Sequence, residues 1–284
     1  MGEASLTDWI GRVEAREDTV PPLVAAQLAA TLPETGHAPG EMVEGAPLPP
    51  LWHWLAFQPV VAMGELGPDG HPKLGGFLPP VALERRMWAG GRLSFHAGLH
   101  VGERLRRRSE ILEVSEKTGS AGRMVFVTVG HALHGDRGLA IEEEQDIVYI
   151  AMPESYRPPK AIPAPEGTAF DRHVPMDTAR LFRFSAATFN AHRIHYDRAY
   201  AMEVEKYPAL IVHGPMQAML LMGAAVRHRG AAPARFDFRG VHPMFDDHDL
   251  RLVGVADGDA LDLCTAADPG GHQGLRARAV WGAS

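Results

Sequence analysis

The sequence predicts an α+β fold, in which an antiparallel sheet wraps around one buried helix. The run at 216–226 is apolar on every side, which is typical of a buried helix and not of an amphipathic one. Alternating or β-branched runs in the first half predict strands at 104–114, 123–133 and 141–150. Four more strands are predicted after the apolar run, at 235–241, 249–256, 260–266 and 275–281.

Both halves show helix first and strands afterwards, although the residues contain no clear repeat. In the first half the patterns predict helices at 5–17 and 21–32, a loop at 33–50 and a strand-like segment at 52–63. In the second half the run at 178–185 predicts a strand. The proline-rich segment between them predicts an extended linker. We therefore expect a first half at 1–152, a linker at 153–168 and a second half at 169–284.

Length and composition exclude several classes of protein. The 284 residues suit two ordinary domains or one large one, and 45% hydrophobic residues can fill a core. The net charge of −7 argues against a nucleic-acid binder. Cys264 is the single cysteine, which excludes an intrachain disulfide and suits a reducing compartment. The beginning of the chain lacks a signal-peptide layout and the apolar run is too short to cross a bilayer, so we expect a cytoplasmic protein without a membrane partner.

An irregular segment at 67–92 precedes the strands of the first half. Its turn residues, paired prolines and flanking glycines argue against a regular helix or a central strand there. Two interpretations remain open: a structural loop anchored by Trp88, or a lid in which Trp88 and the arginines Arg85, Arg86 and Arg92 cover a nucleotide-bearing ligand. Two charged triplets, at 106–108 and 142–144, are expected to face water, the first as a solvated strand edge.

The stretch at 181–222 holds most of the chemistry. It contains a polar cluster from Asn190 to Asp197, and then His213-Gly214-Pro215 at the start of the apolar run. Proline is tolerated in the first turn of a helix, and a buried helix start offers free N–H groups and a positive dipole end to an anion. The same residues would equally serve to begin a core helix, and pattern alone leaves both interpretations open.

The run from Phe184 to His195, followed by Ile211-Val-His213-Gly214-Pro-Met, resembles the MaoC-like hydratases, which have a hot-dog fold. Their motif places an aspartate five residues before a histidine; here the histidine is His195 and position 190 is asparagine. In the first half, 67–75, 77–80 and 85–91 are similar to double-hot-dog relatives that hydrate mesaconyl-C4-CoA or itaconyl-CoA. The resemblance spans nearly the whole chain and implies a double hot-dog, with two antiparallel sheets each wrapped on a central helix.

The resemblance also implies a reaction, the hydration or dehydration of an acyl-CoA thioester without a cofactor. It implies that His195 is an acid/base group and that the Gly214 N–H binds the enolate oxygen. An amide at position 190 cannot usefully accept a proton. Our hypothesis is that His195 activates water, Asn190 positions it and His192 supports them, with Tyr196, Asp197 and His213 nearby. For His192 and Tyr196 a hydrogen-bonded core role is the alternative.

Other functions stay open at this point. A metal hydrolase would use His192, His195, Asp197 and His213 as ligands. A hot-dog thioesterase and a non-catalytic acyl-CoA-binding protein are two further alternatives, because fold does not fix function. The CoA phosphates would be bound by Arg193, Arg85, Arg86 or Arg92, and a homodimer is plausible.

Overall fold

The computed structural model describes residues 5–119 and 122–282, which form one large sheet, one small sheet and three α-helices. The strands of the first half are β1 (Val13–Asp18), β2 (Pro47–Leu48), β3 (Arg85–Phe95), β4 (Leu99–His100), β5 (Leu105–Gly119), β6 (Gly122–Gly135) and β7 (Gly138–Ile150). Those of the second half are β8 (Phe170–Val174), β9 (Arg235–Gly240), β10 (Asp249–Asp257), β11 (Ala260–Asp268) and β12 (Gln273–Val280). The helices are α1 (Pro22–Thr31), α2 (Thr178–Ala187) and α3 (Gly214–Arg229).

The large sheet runs across both halves of the chain. Its strand order is β1-β5-β6-β7-β3-β9-β12-β11-β10-β8, while β2 and β4 form a separate pair. Strand β3 pairs with β9 in antiparallel register, for example Leu93 with Phe236. The two half-sheets predicted from sequence therefore join edge to edge into one continuous sheet. The division at 1–152 and 169–284 remains a prediction.

Helix α3 is the buried helix that the apolar run predicts. It packs against β10, β11 and β12, and every residue from Met216 to Ala225 is buried. In the first half, Trp52–Leu55 forms a 3-10 turn, where a strand was expected. Trp52 and Leu55 share one core with Leu93 and Leu133 of the sheet. His53 and Trp54 of this turn line a small cavity of about 160 Å³.

Segment 178–185, predicted as a strand, is helix α2. Asp177 caps it by accepting a hydrogen bond from the Arg180 N–H at 2.8 Å. Leu181, Phe184 and Ser185 are buried while Phe182 is exposed, which is the spacing of a helix face. The prediction at 5–17 was also wrong, because only Leu6–Trp9 forms a 3-10 turn before β1 begins.

Strand β3 contains the glycines and arginines that suggested an irregular segment. Gly90 and Gly91 are needed where β9 approaches closely: a Cβ on Gly90 would lie 2.4 Å from the Phe238 carbonyl oxygen. These glycines therefore mark a tight strand–strand junction, and the prediction against a central strand was wrong for residues 85–92. The irregular part of that segment ends before Arg85.

The charged triplets are only partly exposed, because successive side chains of a strand point to opposite faces. Arg106 and Arg108 are exposed, but β5 lies between β1 and β6 and is no sheet edge; Arg107 packs over the Phe57 ring at 4.4 Å. In β7, Glu142 is exposed and Glu143 is buried. The expectation that all these charges face water was therefore wrong for Arg107 and Glu143.

Across residues 5–119 and 122–282, the helices are all too short or too polar to cross a membrane.

Candidate active site

A cavity of about 1090 Å³ lies where the two halves meet. Strands β3 and β7 form one side, and the start of α3 with the segment 240–244 forms the other. The sequence-predicted residues that line it are Arg85, Arg86, Trp88, Asn190, His192, His195 and Gly214. The structure thus brings the proposed acid/base group and the helix start to one chamber.

His195 is buried at the end of the 3-10 turn Arg193–His195. Its Nδ1 donates to the Ile211 carbonyl oxygen at 2.8 Å, which fixes the tautomer and leaves Nε2 as the free nitrogen. The ring stacks on His213 with centroids 3.6 Å apart. His195 is therefore held rigidly, with one acceptor nitrogen available.

Burial holds the pKa of His195 well below 6.5, and the neighbouring His213 and His192 lower it further. The hydrogen bond to Ile211 opposes this shift without cancelling it. At neutral pH the imidazole is consequently uncharged, which is the form that accepts a proton.

His213 supports this arrangement from beneath. It is fully buried, and its Nε2 lies 2.8 Å from the Ser185 hydroxyl of α2. Burial, with a contribution from His192, lowers the pKa of His213 to about 3. At neutral pH the His213 ring is therefore uncharged and adds no charge to the site, so there it acts by position.

Gly214 begins α3 and lines the cavity. The first N–H groups of a helix have no partner within the helix, and the Gly214 N–H meets no acceptor among the described residues. A 16-residue buried helix adds its dipole to this donor. The Gly214 N–H could therefore donate a hydrogen bond to an oxyanion formed beside His195.

Substituting Gly214 tests this donor. A Cβ at Gly214 meets nothing within 4 Å, and His213 has φ −57° and ψ 131°, values that suit a residue before proline. Gly214→Pro therefore removes the N–H without a clash at Cβ, whereas Gly214→Ala keeps the N–H and adds the same Cβ. We expect kcat to fall by about 10²–10³-fold for the proline variant and by far less for alanine. Equal losses in steady-state assays would contradict the role of the N–H.

Asn190 lies at the cavity wall after Phe189, whose φ is +49°. Its Oδ1 accepts the His192 N–H at 2.9 Å, which uses one of the two lone pairs of that oxygen. The predicted role of Asn190, positioning water through its carbonyl oxygen, stays a prediction. An amide cannot take a proton from that water, so position 190 supplies no base.

The remaining polar residues of the motif point away from the chamber. Asp197 bonds Arg193 and accepts the Tyr200 N–H at 3.0 Å, so it stabilises the turn that follows. Tyr196 is exposed and donates to the Ala191 carbonyl oxygen at 3.0 Å. These residues, together with Arg193, lie outside the cavity lining.

The four predicted arginines fall into different environments. Arg85 is buried and committed to Glu205, with Nε to Oε2 at 2.7 Å. Arg86 is half-buried in the cavity wall, and Trp88 lines it too. Arg92 is exposed and paired with Glu144 and Asp146, away from the chamber. Of these four arginines, Arg86 is thus the one that lines the cavity without being paired to a carboxylate of the described residues.

Two features of the site escaped the sequence analysis. The segment 153–159, read as a linker, forms part of the cavity wall, and Tyr156 packs against Tyr207 and Phe245 at 6.1 and 5.8 Å. His71 also lines the cavity, with its Nδ1 2.8 Å from Asp69 Oδ2. The sequence does show Asp69 and His71 two positions apart in a predicted turn. It does not show that this turn contacts the motif at 190–197.

The metal ligands predicted from sequence do not converge. His213 is bonded to Ser185 and Asp197 is bonded to Arg193. A different group, Asp69, His71 and His192, places one ligand atom each within 4.8 Å of the others. Both Asp69 oxygens already accept hydrogen bonds from His71, one from its N–H and one from its ring. Asp69 and His71 are thus hydrogen-bonded to each other, while the His192 ring only packs against His71, with ring centroids 4.1 Å apart.

Comparison with known proteins agrees with this geometry. The family model of hydroxyacyl-thioester dehydratase type 2 matches residues 51–246. The chain belongs to this family and is a MaoC-like acyl-thioester hydro-lyase. The predicted class of enzyme is thereby confirmed.

Individual relatives extend the match over the whole chain. The mesaconyl-C(4)-CoA hydratase of Chloroflexus aurantiacus is 45% identical over 279 residues, 98% of each chain. A solved MaoC-like dehydratase has a TM-score of 0.71 at 15% identity, covering 98% of this chain and 100% of its own. A double-hot-dog protein of Mycobacterium tuberculosis has a TM-score of 0.58 at 14% identity, covering 95% and 96%. These structures confirm the double hot-dog fold.

Proposed function

We propose that the chain adds water to, or removes it from, enoyl-CoA thioesters with a short dicarboxylic acyl group, of the mesaconyl-C4-CoA or itaconyl-CoA type. The single observation that supports this most is the shared chamber of His195 and Gly214, with the half-buried Arg86 in its wall. The identity of 45% with the Chloroflexus enzyme supports the same substrate class.

The proposed reaction uses His195 as the group that moves a proton. In the hydration direction, water bonds to Cβ while His195 Nε2 takes one of its protons. The electron pair of the double bond moves onto the thioester oxygen, which the Gly214 N–H binds. The imidazolium then gives the proton to Cα, and neutral His195 is regenerated. The net reaction adds one water molecule across one carbon–carbon double bond, and no other reactant is consumed.

Two cations suit the two charged parts of such a substrate. Arg86 is half-buried in the chamber and pairs with no carboxylate among residues 5–119 and 122–282, so it fits the free carboxylate of the acyl group. Arg157 lies at the exposed end of the same wall and fits a CoA phosphate. Arg85 is less suitable because Glu205 already neutralises it.

A panel of thioesters tests the substrate class. Mesaconyl-C4-CoA, itaconyl-CoA, crotonyl-CoA and a long-chain enoyl-CoA are incubated with the protein, and the enoyl absorbance and free thiol are followed together. We expect loss of absorbance without thiol release, with kcat/KM higher for the dicarboxylic substrates. Arg86→Ala should remove that preference and leave crotonyl-CoA nearly unaffected, whereas the exposed Arg108→Ala should change neither.

Other outcomes of this panel would point elsewhere. Thiol release would favour a thioesterase, and tight binding without either signal would favour a non-catalytic acyl-CoA-binding protein. A cytoplasmic location and a homodimer are part of the proposal as well, and light scattering on the purified chain tests the dimer.

A further inference from the structure

Position 190 leaves a chemical gap in the site. A water molecule attacking Cβ with a lone pair is best held through its two O–H groups, which requires two acceptors. His195 Nε2 is one of them. Asn190 keeps one lone pair of Oδ1 after accepting the His192 N–H, but an amide oxygen is not a base. A second basic acceptor must come from another part of the chain.

His71 has the properties of that acceptor. It lines the same cavity, and its Nδ1 donates to Asp69 Oδ2 at 2.8 Å, which leaves Nε2 with a free electron pair. Nε2 has no hydrogen-bond partner among the described residues. A histidine oriented by a carboxylate in this way is arranged as a base. The same bond stabilises any positive charge that develops on the ring.

The loop carrying Asp69 and His71 is docked onto the hydratase motif. The Arg193 N–H donates to the Asp69 carbonyl oxygen at 2.9 Å, and the Arg193 guanidinium donates to the Pro68 carbonyl oxygen at 3.0 Å. Gly70 has φ +90°, and a Cβ there would lie 1.9 Å from the Ala191 carbonyl oxygen. A glycine is therefore required for this contact. The loop therefore packs closely against residues 191–193, and these contacts fix the position of His71.

His71 and His195 flank His192 within the chamber. The His71 and His192 rings lie 4.1 Å apart, and the His192 and His195 rings 5.4 Å apart. His192 itself faces the buried Glu205, with Nε2 to Oε1 at 3.6 Å. His192 therefore lies between His71 and His195 and also contacts Glu205, the partner of Arg85.

We propose that His71, oriented by Asp69, is a second catalytic group that replaces the carboxylate missing at position 190. Its Nε2 accepts a hydrogen bond from the attacking water, while the other water proton passes to His195 and then to Cα. The O–H bonded to His71 remains on the product hydroxyl. The inference rests on the proposed hydration and adds a residue from the loop at 67–84 to it.

Substitution of His71 measures the role. We expect His71→Gln to lower kcat for hydration by about 10²-fold or more, with KM changed far less. Asp69→Asn should give a smaller loss, since the ring stays but loses its orientation. His96→Gln is the matched control, because His96 also pairs with a carboxylate, Glu142 at 2.8 Å, but on the exposed surface.

A rescue experiment separates catalysis from mere support of the fold. If His71 replaces the missing carboxylate, Asn190→Asp should recover at least about tenfold of kcat in the His71→Gln background. A purely structural loss would not respond to a carboxylate at position 190. Unfolding midpoints of all variants are compared with the parent protein, so that a fall in stability is recognised. If His71→Gln does not fold, Asp69→Asn with and without Asn190→Asp gives the same comparison.

Three results would overturn the inference. One is a His71→Gln protein with kcat within about twofold of the parent. Another is a double variant no better than the single one. The third is stoichiometric divalent metal in the purified protein that is lost in His71→Gln, which would make Asp69, His71 and His192 a metal site. An inactive parent protein would instead contradict the proposed hydration itself.

Discussion

Replacing His195 with alanine is expected to lower kcat for hydration by about 10³-fold, since one group takes the proton from water and returns it to Cα. The loss of its bond to Ile211 is a local disturbance, so His195→Gln, which keeps much of the side-chain volume, is measured beside it. His173→Ala is a suitable control because His173 is exposed and also pairs with a carboxylate, Asp249 at 2.8 Å. Retention of more than a few per cent of turnover in both His195 variants would remove this residue from the mechanism.

The pH profile gives a second measure of the same residue. Because burial holds the pKa of His195 well below 6.5, the ring stays neutral as the pH falls through 6.5. Neutral imidazole is the active base, so activity should persist below the pH at which an ordinary histidine would protonate. The acid limb of kcat against pH is therefore expected below 6.5. An acid limb at or above that value would assign the titration to another group.

Glu143→Ala is expected to lower the free energy of unfolding by about 3 kcal/mol, because each buried donor left without its acceptor costs about 1–3 kcal/mol. Glu143 accepts hydrogen bonds from His53 Nε2 at 3.1 Å, Trp54 Nε1 at 3.0 Å and Gln145 Nε2 at 2.8 Å. Alanine would leave these donors, one buried and two half-buried, without this acceptor. Denaturant unfolding of Glu143→Ala and of its exposed neighbour variant Glu142→Ala gives the comparison.

The same carboxylate predicts an acid-dependent loss of stability. Burial alone would raise the pKa of Glu143, but the hydrogen bonds and charges of its partners, chiefly His53, lower it from 4.5 to about 2. A lowered pKa means that this contribution is fully present above pH 4.5 and is lost as the pH falls towards 2. Glu143→Ala should therefore show a weaker decline across that interval than the parent. Parallel curves for the two proteins would show that Glu143 does not carry the effect.

The parts of the fold that were predictable are those set by local pattern. The run at 216–226 has no polar face and became the buried part of α3, and the long alternating runs became β5, β6 and β7. His195 and Gly214 were found because motif and helix start are both short-range signals. Both residues line one cavity, and their chemical roles remain predictions.

Of the predictions that failed, one had a local signal that was missed, and others depend on distant neighbours. The run at 178–185 reads as a strand until Asp177 is recognised as a helix cap. Gly90 and Gly91 look like loop residues because nothing local reveals the approach of β9. Likewise, the docking of Asp69 and His71 on residues 191–193 is a contact between segments over a hundred positions apart in the chain. Glu143 is different: strict strand alternation would have predicted one inward glutamate in the triplet at 142–144.

Glu143 and its hydrogen-bond partners His53, Trp54 and Gln145 lie next to the catalytic chamber. Trp88 and Gln145 line both that chamber and a smaller cavity of about 160 Å³ bounded by His53, Arg107, His131 and Glu143. Gln145 is tied to Glu143 on one side and presents its surface to substrate on the other. Trp88 and Gln145 are thus a wall common to two cavities, and a substitution at Glu143, which lines only the smaller one, would remove a hydrogen bond that holds a residue of the larger one.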